Sequence, residues 1–86
     1  MPSTVVQLIP IRVECYAGYK AEETPRRFLW EGQWIEVVEV LDRWQQGAGN
    51  PEWPAADYFK VLGTDQRQYL LKRDHESDEW YLSQRG

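Results

Sequence analysis

The stretch Phe28-Leu29-Trp30-Glu31-Gly32-Gln33-Trp34-Ile35-Glu36-Val37 decides the fold of this chain. A Glu-Gly pair between two runs of aromatic and β-branched residues predicts a β-hairpin with Glu31-Gly32 as its two-residue turn. That turn sets four cross-strand pairs: Trp30 with Gln33, Leu29 with Trp34, Phe28 with Ile35, and Arg27 with Glu36. Because side chains alternate between the two faces, the core face is predicted to carry Phe28, Trp30, Ile35 and Val37. The opposite face then carries Leu29, Trp34 and a charge pair of Arg27 with Glu36.

The segment before the hairpin, residues 9–19, also alternates apolar and polar residues. This period of two predicts a half-buried strand, with one face formed by Ile9, Ile11, Val13 and Cys15. Pro10 lacks an N–H group, so this strand is predicted to begin at an edge of the sheet. Cys15 lies in register with the apolar face and is predicted to be a small core side chain. A nucleophilic cysteine would need an activating base, which the sequence does not provide.

The segment after the turn, residues 34–46, allows two interpretations. Its apolar residues fit a helical stripe with Gly47 as the C-cap: Trp34, Val37, Val38, Leu41 and Trp44. The β-branched residues within 35–40 and the tight turn before them favour a strand instead. We therefore predict a strand, with a β-bulge near Val37-Val38 that returns Val40 to the core face.

The rest of the chain predicts two further hairpins. Residues 45–56 contain two Gly and two Pro and are predicted to form a loop with Trp53 in its middle. Strands are predicted over Asp57–Leu62, Arg67–Arg73 and Trp80–Ser83, with turns at 63–66 and 74–79. The fold class is therefore all-β: an antiparallel meander of five or six strands that forms a small barrel or SH3-like roll. The 86 residues fit a single domain, 1–86, with an ordered core at about 9–83.

Composition narrows the classes of function. The chain has 14 acidic and 10 basic residues and a net charge of −4, which disfavours bulk nucleic acid and anionic membranes as main partners. Its one cysteine cannot form a disulfide within the chain, and residues 1–7 lack the basic and apolar regions of a signal peptide. No run approaches the roughly 18 apolar residues of a membrane-spanning helix. We therefore expect a cytoplasmic protein.

His75 invites a metal or acid–base interpretation, because it lies among the carboxylates of residues 74–79. Neighbouring side chains on a hairpin turn point apart, however, and neither a second His nor a Cys lies nearby. We therefore interpret this segment as a solvated turn. The sequence also contains no Gly-rich phosphate loop, CxxC pair or carboxylate pair at a useful spacing. We expect a non-enzymatic protein without catalytic residues, a metal site or a cofactor.

Two surfaces are candidates for binding. The leading hypothesis is an aromatic face for a protein partner, centred on Leu29 and Trp34, with Trp53 from the loop and a polar rim of Arg27 and Arg43. Trp53 has the alternative role of a plug at one end of the barrel. The second hypothesis is binding of single-stranded nucleic acid by stacking and charge, through Tyr58, Lys60, Arg67, Lys72 and Arg73. We expect a monomer or a homodimer paired through edge strands.

Five short segments carry a resemblance to a known family: FLWEGQW at 28–34, VLDRW at 40–44, DYFKV at 57–61, YLLKRD at 69–74 and WYL at 80–82. Over about residues 9–83 the chain resembles a family of small bacterial domains of unknown function. From Trp53 onward it is also similar to the C-terminal end of ImuB-type proteins, the polymerase-like subunits of bacterial mutagenic-repair cassettes. The resemblance implies an all-β fold and an accessory role near DNA repair, and it brings no catalytic activity with it.

Overall fold

Seven β-strands build the protein in the computed structural model, which describes residues 6–16, 24–47 and 55–85. The strands are β1 (Val6–Ile11), β2 (Val13–Cys15), β3 (Pro25–Trp30), β4 (Gln33–Gln46), β5 (Ala56–Gly63), β6 (Gln68–Asp74) and β7 (Trp80–Arg85). They form one antiparallel sheet in the order β1-β7-β6-β5-β4-β3-β2, curled into a half-barrel. The described residues contain no helix, and so none that is long and apolar enough to cross a membrane. The predicted all-β fold is confirmed.

The central hairpin has the predicted register at all four positions, from Arg27 opposite Glu36 to Trp30 opposite Gln33. Glu31 and Gly32 have φ angles of 52° and 77°, as a tight hairpin turn with two left-handed residues requires. Gly32 supplies the second of these conformations without a steric penalty. The turn therefore sets the register of the hairpin, and the alternation of side chains then determines which of them face the core.

The strand predicted over residues 9–19 begins earlier, at Val6, and is interrupted at Arg12. This break divides it into β1 and β2, which is one reason why the structure has seven strands rather than five or six. The two pieces lie at opposite edges of the sheet, β1 beside β7 and β2 beside β3. At the break, the backbone N–H of Leu29 donates to the carbonyl of Arg12 over 2.9 Å. At Arg12 the chain therefore passes from one edge strand of the half-barrel, β1, to the other, β2. Pro10 lies on an edge strand, as predicted.

Residues 34–46 are a strand, so the helical alternative is wrong. β4 pairs first with β3 and then with β5, and its register against β5 shifts twice. The first shift, between Val37 and Glu39, is the predicted bulge. The second, between Val40 and Asp42, was not predicted. In a bulge two residues oppose one on the partner strand, so Val38 and Leu41 are the inserted residues.

The loop predicted over residues 45–56 is shorter than expected at both ends. β4 continues to Gln46 and β5 begins at Ala56, because Gln45 pairs with Asp57 and Gln46 with Ala56. Once β4 and β5 are in register, their pairing continues as far as these two residue pairs. Residues 48–54, and with them Trp53, lie outside the described residues.

The core lies on the concave face of the sheet. Its buried side chains come from strands β3 to β7: Phe28, Ile35, Phe59, Val61, Leu71, Trp80 and Leu82. The predicted apolar face of the first strand packs against this cluster through Ile11, Val13 and Cys15, which are half-buried. Arg12 and Glu14 between them are exposed. The alternation of apolar and polar residues in the sequence therefore predicts correctly which side chains of this strand face the core.

Candidate functional site

Exposed apolar side chains are concentrated on one strand. Among the described residues six large hydrophobic side chains are exposed, and four of them belong to β4: Trp34, Val38, Leu41 and Trp44, which are 39–61% exposed. We call these four residues the β4 stripe. At about 3.3 Å per residue, the stripe extends over about 30 Å. The other two, Leu8 and Tyr16, lie on β1 and just after β2.

The two bulges place Leu41 on the same outer face as the other residues of the stripe. Val38 joins Glu39 opposite Leu62, and Leu41 joins Asp42 opposite Lys60. Each inserted residue increases the local repeat of the strand from two residues to three. Exposed apolar residues therefore recur at 38, 41 and 44. Without the bulges, strict alternation from Trp34 would keep Val38 and Trp44 on the outer face but would turn Leu41 towards the core.

At one end of the stripe, Trp34 lies under a fixed guanidinium. The Arg27 guanidinium carbon lies 4.5 Å from the Trp34 ring centroid, within the range of a cation–π contact. Glu14 Oε1 accepts a hydrogen bond from Arg27 Nε over 2.8 Å. That hydrogen bond lowers the pKa of Glu14 and raises the pKa of Arg27. Arg27 is therefore held over the indole before any partner arrives.

The predicted charge pair of Arg27 with Glu36 needs a correction. Glu36 lies opposite Arg27 as expected, but the Arg27 hydrogen bond goes to Glu14 on β2. β3 lies between β2 and β4, so Arg27 has a carboxylate on each side. Glu36 acts on Arg27 through charge and contributes to its raised pKa. Leu29, the other predicted centre of this face, is half-buried opposite Trp34.

At the other end of the stripe, Trp44 belongs to an aromatic stack. Its ring lies parallel to that of Tyr58, with a centroid distance of 5.4 Å and an angle of 7°. Lys72 Nζ lies 5.9 Å from the Tyr58 centroid. Trp44, Tyr58 and Lys72 are neighbours in register on β4, β5 and β6. We call them the stacking row.

Trp44, Leu41 and Val38 were not predicted as site residues. Their sequence signal was the helix-like spacing of 34–46, which resulted from two bulges in a strand. A prediction that Trp44 lies beside Tyr58 would also have required the register of β4 against β5. The intervening residues 47–55 contain no short turn motif that would set this register from the sequence.

The remaining residues predicted for the protein-binding face are separated from Trp34. The Arg43 guanidinium carbon lies 5.1 Å from the ring centroid of Phe59, a core residue. Arg43 is therefore on the concave side of β4, about 30 Å along the strand from Trp34. The structure brings Leu29, Trp34 and Arg27 together and places Arg43 elsewhere. Trp53 is outside the described residues.

The predicted nucleic-acid set is also divided. Tyr58, Lys60 and Lys72 share the convex face of β5 and β6. Arg73 faces the other side, where its guanidinium contacts Asp78 at 2.6 Å and Asp57 at 3.9 Å. Arg67 lies in the turn before β6 and is exposed.

His75 lies on the turn after β6, and its Nε2 is 2.8 Å from Asp57 Oδ2. This places it beside the Arg73 ion pairs at one end of the sheet. Within residues 6–16, 24–47 and 55–85, no group of three or more His, Cys, Asp or Glu side chains is arranged to hold a metal ion.

A cavity of about 550 Å³ opens beside Trp34. Its walls come from residues 10–14 and from the end of the turn before β7, including Asp78, Glu79 and Trp80. Each of its carboxylates has a partner: Glu14 binds Arg27, Asp78 binds Arg73, and Glu79 accepts from the Tyr81 hydroxyl. The cavity thus extends the exposed surface around Trp34, and its charged lining includes the exposed Arg12 as well as these paired carboxylates.

Comparison of the chain with protein-family models, with curated proteins and with solved structures finds no match. The resemblance to small bacterial domains and to ImuB-type proteins remains a prediction from the sequence.

Proposed function

We propose that this protein is a non-enzymatic module that binds a protein partner through the β4 stripe. The observation that carries the proposal is that, of the six large hydrophobic side chains exposed in the described part of the chain, four lie on one strand. Large exposed apolar side chains that are concentrated in one region of a small domain are typical of a binding surface. The sequence hypothesis had centred on Leu29 and Trp34, and the proposal extends that surface along β4 to Trp44.

The dimensions and composition of the stripe suit a protein interface. A standard interface buries about 800 Å² on each partner, and a strand of about 30 Å with its neighbours offers a patch of that order. Binding energy in such interfaces is concentrated on a few side chains, among which Trp, Tyr and Arg are enriched. Trp34 with Arg27 and Trp44 with Tyr58 supply an anchor at each end.

The charges along β4 indicate the character of the partner. Glu36, Glu39 and Asp42 lie between the apolar side chains of the stripe and are exposed. A partner with an apolar ridge and a basic rim would complement this surface. The resemblance to the ImuB-type C-terminal end adds the hypothesis that the partner belongs to bacterial DNA repair.

Capture from a bacterial lysate tests the proposal. The immobilised wild-type protein, Trp34→Ala and Trp44→Ala are compared after circular dichroism has shown that each is folded. Tyr16→Ala is the matched control, because Tyr16 is an exposed aromatic residue outside β4. We expect a partner that both Trp variants lose and that Tyr16→Ala retains. A partner retained by both Trp variants would contradict the proposal.

Single-stranded nucleic acid is the second candidate, and the stacking row favours it. Proteins that bind single strands combine aromatic rings with nearby cations, as Trp44, Tyr58 and Lys72 do. Titration with a labelled oligothymidine at several salt concentrations is the test. Affinity that falls as salt rises, and that Lys72→Ala weakens, would support this function. Binding that salt does not change would count against it.

A further inference from the structure

Open strand edges differ in how well they are protected. An exposed edge presents unpaired N–H and C=O groups to other chains, and folded proteins protect edges with charged residues, bulges, proline or very short strands. The sheet ends at β1 and β2, and β4 has an unpaired side beyond the residues that pair with β3, within the part of the chain that the structure describes.

Two of the three edges are protected. β2 has only three residues and carries the charged Glu14. The edge of β4 carries Glu39, Asp42 and Arg43 and is interrupted by two bulges. The Arg43 N–H donates to Asp42 Oδ1 over 2.8 Å, so a side chain already satisfies that backbone donor.

β1 has little protection. It is six residues long, VQLIPI, and contains no charged residue. Its pairing with β7 is regular from Val6 to Ile11, without a bulge. Leu8 on this strand is 44% exposed. Pro10 is the only feature of β1 that limits pairing.

The backbone of β1 shows which groups are open. The Arg12 carbonyl accepts from Leu29 on the side away from β7. Alternate residues of a strand direct their polar groups to the same side, so Leu8 and Pro10 direct theirs to this side too. Pro10 is tolerated there, because the N–H that it lacks would not have bonded to β7. No strand among the described residues pairs with this side of β1.

We infer that β1 pairs with β1 of a second copy of this chain, antiparallel, about a two-fold axis at Leu8. Leu8 of each copy then exchanges two backbone hydrogen bonds with Leu8 of the other. The N–H of Val6 donates to the carbonyl of Pro10 in the other copy, and this occurs twice by symmetry. An uncharged strand suits a copy of itself, because no like charges come to lie opposite each other.

The space beside β1 and the length of β1 determine how strong the contact between the two copies is. A cavity of about 430 Å³ lies between residues 9–12 and residues 29–32, beside the open edge. In the proposed pairing, the end of the second β1 lies at this cavity, near Pro10. Strands of this length are about 20 Å long, which is short for an interface that must be permanent. The dimer is therefore reversible, and it presents two β4 stripes to a partner at once.

Sedimentation equilibrium of the full chain, from micromolar to millimolar concentration, tests the inference. The wild type should pass from monomer to dimer, and Leu8→Lys should weaken the dimer about tenfold or more by placing two Lys side chains opposite each other. Leu41→Lys is the matched control, because it adds the same charge at a similarly exposed Leu on β4. It should leave dimerisation unchanged. A chain that stays monomeric overturns the inference, and so does a Leu41→Lys effect as large as that of Leu8→Lys.

Hydrogen exchange supplies a readout of the backbone contact itself. The Leu8 amide should exchange more slowly as the dimer fraction rises. If a dimer forms while exchange at the Leu8 amide stays constant, the dimer uses another surface and the inference is wrong. Neither measurement depends on a partner bound to the β4 stripe, so the failure of one proposal leaves the other standing.

Discussion

Replacement of Gly63 by Ala tests the packing at the end of β5. A Cβ at this position would lie 2.7 Å from Ile35 Cγ2 and 2.7 Å from Asp65 Oδ1. Ile35 is buried in the core, and Asp65 accepts a hydrogen bond from the Tyr69 hydroxyl. Neither neighbour can move without disturbing a packed side chain or a bonded carboxylate. Gly63 is therefore required for space, since its φ lies outside the left-handed region.

The expected cost follows from overpacking. Forcing an extra carbon into a packed core typically costs about 1–3 kcal/mol. For a domain of this size, each kcal/mol lowers the melting temperature by about 4–8 °C, so Gly63→Ala should melt about 4–24 °C below the wild type. Thermal unfolding followed by circular dichroism measures the difference.

Gly32 provides the matched control, because its backbone conformation, and not a lack of space, favours glycine there. It has a φ of +77° and nothing within 4 Å of an added Cβ, so Gly32→Ala costs only the left-handed strain of about 1–2 kcal/mol. Asn tolerates that conformation, so Gly32→Asn should be more stable than Gly32→Ala. At Gly63 the order should reverse, since Asn is larger than Ala. The same order at both positions, or a Gly63→Ala variant as stable as the wild type, would refute the reasoning.

Three further predictions concern the core, a pH-dependent contact and the surface. Leu71 is fully buried, so Leu71→Ala should lose about 3–5 kcal/mol in urea unfolding, and a loss below about 1 kcal/mol would contradict the assigned core. Burial and the bond to Asp65 raise the pKa of Tyr69 to about 12, above that of the unfolded chain. The contribution of Tyr69 to stability is therefore complete below pH 10 and lost as pH rises to about 12, and Tyr69→Phe should lack this alkaline loss in urea unfolding at each pH. Glu14→Gln should loosen the guanidinium over Trp34, which a shift of the Trp34 indole N–H signal in NMR would report and an unchanged signal would contradict.

The features that could be predicted from the sequence are those fixed by local chemistry. The Glu31-Gly32 turn determines the hairpin register within four residues on either side, and the structure has the same pairs. Alternation assigned Ile11, Val13 and Cys15 to the core side. The bulge near Val37-Val38 was predicted because it returns Val40 to the core face, and Val40 does pack against the core.

The features that could not be predicted depend on contacts between distant segments. The break at Arg12 arises where the first strand leaves β7 and joins β3, and no local residue signals it. The second bulge, at Leu41, appears only in the register with β5. Because this register places Trp44 on Tyr58, the end of the candidate site that contains the stacking row could not be predicted from the sequence.

The affinity of the purified partner for single variants tests most directly whether the β4 stripe binds it. Isothermal titration calorimetry compares the wild type with Trp34→Ala, Trp44→Ala and Tyr16→Ala. Anchor residues at interfaces contribute at least about 2 kcal/mol, so each Trp variant should bind about 30-fold more weakly. The affinity of Tyr16→Ala should equal that of the wild type. Wild-type affinity in both Trp variants would show that the partner binds another surface, and the account would be wrong.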